Sequence, residues 1–217
     1  MKIKIKLCLS LILSIILISY SCVSKEKKEK ADEYVGIIVG IKNPVTDSIN
    51  TIVYGCRIIV NNFLSGDSNS LELKELNSQI DKALLQVDVA IVSLNSIEEF
   101  DDKILLKSEL SKYLTVIRGL IDEDFRTMFN MLEGEVTDAK IVSVTDVYLS
   151  FSLKLIGIEK SMDKVETDFA EKYSIQFKTS GQNWEQMEKK IKEQIKQNEE
   201  RKELINSYTY DEVIYDE

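Results

Sequence analysis

The sequence predicts an all-α protein, an elongated antiparallel bundle of four to five helices, and three observations carry that expectation. One proline and eight glycines among 217 residues leave few places for the tight turns that a β-sandwich or barrel requires. Apolar residues recur at spacings of three and four over long stretches, whereas a strand would need a period of two. The breaks between these stretches are short, and long helices joined by short turns must lie antiparallel with their apolar stripes against one another.

The first stretch is the least regular. Asn43 followed by Pro44 has the form of an N-cap with proline at the first helical position. Val45, Ile49, Ile52, Cys56, Ile59 and Phe63 then make a stripe, with Val53 and Val60 beside it. Tyr34 to Ile41 is apolar as well, and Ile38 and Ile41 are in phase with Val45. The expectation is either one helix kinked at Pro44 or a short helix leading into a long one. After the break Ser65-Gly66-Asp67-Ser68-Asn69, a second helix over Ser70–Ser96 is predicted from Leu73, Leu76, Ile80, Ala83, Val87, Ala90 and Leu94, flanked by Leu84 and Ile91.

Glu98 to Asp102 forms the next break. The third helix falls between Asp101 and Leu132, on Leu110, Leu114, Ile117, Ile121, Phe125, Met128 and Leu132. Two successive steps of four shift its seam past Asp124, a drift toward about 3.67 residues per turn that argues against a strict left-handed coiled coil. Beyond Glu133-Gly134-Glu135, the residues Ile141, Val144, Tyr148, Phe151, Leu155, Ile158, Met162, Val165 and Phe169 alternate spacings of three and four. They predict a fourth helix from Asp138 to Ser174, on the order of 50 Å long at about 1.5 Å per residue. A fifth, from Asn183 to about Asn206, carries Trp184, Met187, Ile191, Ile195 and Leu204 on one side. Its pairs Glu185/Lys189 and Glu188/Lys192 have the favourable i,i+4 order.

The amino-terminal residues have a different character. Lys2, Lys4 and Lys6 precede a nearly unbroken apolar run from Leu7 to Ile18, and the small-residue segment Ser19-Tyr20-Ser21 leads into Cys22. That order is a basic n-region, a hydrophobic h-region and a cleavage site. The run is well short of the roughly 20 residues that a permanent transmembrane helix needs. At this point the chain resembles bacterial lipoprotein precursors, with Ser19 where that family prefers Leu, a relaxed lipobox similar to those of spirochaete envelope lipoproteins. The resemblance covers about the first 25 residues. It implies that Cys22 is acylated with fatty acids such as palmitate and becomes the first residue of the mature protein. Ser19 and Ser21 also satisfy the small-x-small pattern of ordinary signal peptidase, so plain secretion is the other reading. The expected division is signal peptide 1–21, charged tether 22–32, helical bundle 33–207 and an acidic, tyrosine-containing tail 208–217.

Composition limits the partners. The net charge of −9 becomes −12 once Lys2, Lys4 and Lys6 leave with the leader. Such a surface repels phosphate backbones, which are held by lysine and arginine, so nucleic acid is not an expected partner. It repels anionic headgroups too, so membrane attachment is expected through acyl chains on Cys22 and not through a basic patch. With Cys8 lost and Cys22 acylated, Cys56 stands alone and no intramolecular disulfide is available. Its place on an apolar stripe reads as a small core residue.

The absence of histidine removes the commonest general base and metal ligand, and with it the serine, cysteine and zinc chemistries that use one. No phosphate-binding loop or calcium-loop spacing is present, so no enzyme and no cofactor is expected. Asp122, Glu123 and Asp124 are consecutive and would fan around a helix instead of converging on a cation. Gly36 and Gly40 form a GxxxG spacing that permits close helix approach, inside the bundle or between copies near the membrane. Trp184, following Ser180-Gly181-Gln182-Asn183, is either docked beside a capping Asn183 or an anchor for a partner. Tyr208, Tyr210 and Tyr215 are further candidates for partner contact, or part of a disordered tail. The expectation is a lipid-anchored, extracytoplasmic bundle, at the outer membrane surface or the periplasmic face, that binds a protein partner or has a structural role. The alternative is an envelope assembly or transport accessory holding an apolar ligand between helices.

Overall fold

The computed structural model describes residues 24–65, 70–132, 134–177 and 182–213, all in helices and short connections, with no strand among them. Helix α1 spans Lys25–Leu64, α2 spans Ser70–Asn95, α4 spans Asp138–Tyr173 and α5 spans Trp184–Val213. Between α2 and α4 lies a composite rod, α3, built from an α-helix Leu106–Gly119, a π-helical stretch Leu120–Phe125 and a last α-helix Arg126–Leu132. The all-α bundle expected from periodicity is the architecture found.

Contacts between helices show the up-and-down order. Arg118 meets Asp88 and Arg126 meets Asp81, so α3 advances as α2 recedes. Tyr113 reaches Glu159 and Lys154 reaches Asp124, which sets α4 antiparallel to α3. Trp184 meets Asp163 and Asn198 meets Asp146, so α5 returns along α4. Helices α1 to α4 close into a four-helix unit through α1 against α4, while α5 packs mainly on α4.

The stripes read from the sequence form the core. Val45, Ile49, Ile52, Cys56 and Ile59 of α1 face Leu76, Ile80, Ala83, Val87, Ala90 and Leu94 of α2 as one cluster with Leu110, Leu114, Ile117 and Met128. Phe125 and Phe151 meet with centroids 4.3 Å apart. Burial of such side chains, worth roughly 1.5–3 kcal/mol each, is what holds helices whose own propensities are ordinary.

Of the two alternatives at Asn43-Pro44, the structure has the single helix: α1 runs through Pro44 for 40 residues, and Asn43-Pro44 lies inside it and does not cap a new start. Proline removes one backbone donor and crowds the carbonyl four residues earlier, here Gly40. Both Gly40 and Pro44 are exposed, so water is at hand for the freed carbonyl. The charged string Lys25–Lys30, read as a tether, is helical and exposed, with Lys30 and Glu26 paired at 2.7 Å.

The two steps of four in α3 have a local cause. Ile117, Ile121 and Phe125 span the π-helical stretch, whose wider turn keeps all three buried. Asp122 pairs with Arg126 at 3.0 Å and Asp124 with Lys154 at 2.8 Å, so the acids diverge to separate partners.

Caps and turns close each end. Thr137 accepts from the Lys140 amide to start α4, and Ser174 ends it in the left-handed region at φ 53°. Gly134, at φ 84°, makes the turn before α4. Helix α3 has no cap from its own Leu105, and Glu99 takes that role by accepting from the Lys107 and Ser108 amides at 3.0 Å. Tyr34 donates to the same carboxylate, and its ring joins Phe100, Phe169 and Tyr173 in a cluster with centroids 4.7–5.8 Å apart.

Candidate functional site

Along α1, Asp32, Val35, Gly36, Val39, Lys42 and Asn43 fall on one helical face. Opposite, α4 offers Glu166. After the left-handed turn at Ser174 the chain folds back, with the Ile175 amide donating to Ala170, and brings Gln176 and Phe177 to the same place. Together these residues line a cleft of about 500 Å³ between α1 and α4.

Its polar centre is an ion pair in a largely apolar bundle. Lys42 Nζ donates to Glu166 Oε1 at 2.8 Å, with the lysine side chain 12% exposed and the glutamate 2%. Lys42 Nζ also lies 5.6 Å from the centroid of the Tyr113 ring, and the Tyr113 hydroxyl donates to Glu159 at 2.8 Å. Burial raises the Glu166 carboxyl above its usual range; Lys42 works against that, and the nearby Asp163 and Glu159 charges add to it. Burial, then the Glu159 charge, pushes the Tyr113 phenol far up. Every buried side-chain nitrogen or oxygen among the described residues has a hydrogen-bond partner.

Gly36 borders this cleft, and a Cβ placed there would meet nothing within 4 Å. The same is true at Gly40, and both glycines are exposed. The GxxxG spacing therefore does not serve close packing inside the bundle. Its effect at Gly36 is to leave the wall of the cleft open.

No known family profile, curated protein or solved structure matches this chain.

Of the residues singled out in the sequence, Cys22 and Tyr215 lie outside the described residues. Tyr208 and Tyr210 fall within α5, which continues to Val213, but their side chains are also outside what is described. Trp184 opens α5 and is half-buried, its indole N–H donating to Asp163 at 2.6 Å, while Asn183 caps the helix by accepting from the Gln186 amide at 3.0 Å. Cys56 is fully buried, and burial pushes its thiol up to about 12.

The Lys42–Glu166 pair was not singled out from the sequence, since its partners are 124 positions apart. The available signal was a lysine on the apolar side of α1, in step with Ile38 and Val45. A second groove, of about 390 Å³, lies between α5, the last turns of α1 and the early turns of α4, beside Asn198. On the outer face of α2, Leu85, Val89 and Val92 are exposed at spacings of four and three.

Proposed function

We propose that this chain is a lipid-anchored, extracytoplasmic lipoprotein that acts by binding at the cell envelope, not by catalysis. The observation that carries the proposal is the order Lys2/Lys4/Lys6, apolar run, Ser19-Tyr20-Ser21, Cys22. Cys22 lies three positions before Lys25, where α1 begins, so acyl chains there would hold the bundle close to the bilayer. Two or three chains give a stable anchor where one is marginal.

Two features favour a protein partner on the outside over a lipid held among the helices. The apolar stripes of α1 to α4 pack on one another. Leu85, Val89 and Val92 present an apolar strip to solvent. Metabolic labelling with a radioactive fatty acid tests the anchor: label is expected in the wild-type protein and not in Cys22→Ala, and equal labelling of both would overturn the proposal. Protease shaving of intact cells then separates surface exposure, where the protein is cut, from the periplasmic face, where it is spared.

A further inference from the structure

The Lys42–Glu166 pair is not required for stability as such. Taking two charges out of water costs several kcal/mol per ion, and replacing a buried pair with apolar side chains of similar volume is often neutral or stabilising. A buried carboxylate with a displaced titration, paired in a cleft, is the arrangement expected where a ligand is recognised. The cleft's volume of about 500 Å³ is that of a small-molecule site.

Charge selects the ligand. Lys42 is the single cation among the lining residues, against Asp32 and Glu166, and Asp163 and Glu159 add to the negative field at Glu166. An entering anion is repelled and an entering cation is drawn in. Glu166 Oε1 accepts from Lys42, and a carboxylate has lone pairs for further donors. Val35, Val39 and Phe177 supply apolar wall, and Asn43 and Gln176 supply polar groups.

We infer that the cleft between α1 and α4 binds a small organic cation, an ammonium on a short apolar body, with the charge held by Glu166 and the body against Val35, Val39 and Phe177. The site does not depend on the anchor at Cys22, so the two proposals fail separately.

The test uses the full protein as isolated, in nanodiscs of uncharged lipid if it carries acyl chains and in plain buffer if it does not. The probes are n-hexylammonium, hexanol and hexanoate, read by calorimetric titration and by the methyl resonances of Val35 and Val39. Saturable binding of hexylammonium that shifts both residues is expected, at least tenfold tighter than hexanol or hexanoate. Gly36→Leu fills the open wall without a clash at Cβ and should weaken binding at least tenfold while leaving the melting temperature unchanged or higher. Glu166→Gln should weaken hexylammonium binding alone. No saturation with hexylammonium, equal binding of hexanol, tighter binding of hexanoate, or undiminished binding in a folded Gly36→Leu protein would each overturn the inference.

Discussion

Burial alone would raise the Asp101 carboxyl, but donation from Lys172, Tyr173 and the Ile104 and Lys103 amides holds it well below the usual carboxylate range. The folded state therefore binds a proton at Asp101 less readily than the unfolded chain, and stability is lost as pH falls below the ordinary value of 3.8 toward the depressed one. Asp101→Asn should lower stability at pH 7 and flatten the acid limb of a urea-midpoint-versus-pH curve. An unchanged acid limb would assign that limb to other groups. Glu166 has the opposite sign: its carboxyl is raised, so its charging on passing upward from the ordinary range costs stability. Phe151 is buried against Phe125, and Phe151→Ala should cost about 3–5 kcal/mol in denaturant titration. Leu155, expected to be buried beside it, is only partly buried, though it still packs against the core. Val89→Ala, on the outer face of α2, should stay within about 0.5 kcal/mol of neutral. These core positions were readable in the sequence because burial in a helix repeats every three or four residues. The groups around Asp101 were not, since they come together from α4 and a loop about 70 positions away.

Among the elements, α4 has two apolar sides. One carries the stripe read from the sequence; on the other, Val142, Leu149 and Ile156 are buried at intervals of seven. That second side explains why α4 alone among the described helices is long and apolar enough to cross a membrane. It packs against α1 and α3 on one flank and α5 on the other. Helix α5 is itself polar, with Met187 and Leu204 exposed, and its hold on α4 depends on a buried amide. Asn198 Nδ2 donates to the Val142 carbonyl at 3.1 Å and to Asp146 at 2.6 Å. The surrounding pairs Arg201–Asp138 and Lys202–Asp146 are largely exposed and add little. Asn198→Ala should therefore cost about 1–3 kcal/mol. Hydrogen exchange should quicken along α5 while the α1, α2 and α3 amides keep their protection. Uniform quickening would mean that α5 is not a separate unit. From the sequence, Asn198 is one polar residue among many on a polar helix, and only the packing distinguishes it. At Pro44 the sequence left two readings open, and the apolar face running from Ala31 to Ile59 on both sides of the proline decides for the single helix over the helix start that local chemistry favours.

For the whole molecule, the leaderless domain is expected to be soluble with a helix-dominated far-ultraviolet spectrum. Its melting should change little with reductant, because Cys56, the free cysteine among the described residues, is buried within the core. A large loss of stability on reduction, at low protein concentration, would contradict that. The bundle was legible because each helix carries its own stripe and the breaks are short. The cleft was not, because it depends on how far α1 and α4 stand apart, a distance that no local pattern encodes. The length of α1 has one more consequence. A tensile load applied at Ser24 enters along the axis of a helix that reaches the far end of the bundle, roughly 60 Å away at about 1.5 Å per residue. To yield to a load taken up elsewhere in the bundle, α1 must slide along α2, the helix it packs on most, breaking those contacts in shear. A bundle attached through the end of such a helix resists pulling far better than one that could be peeled open a turn at a time.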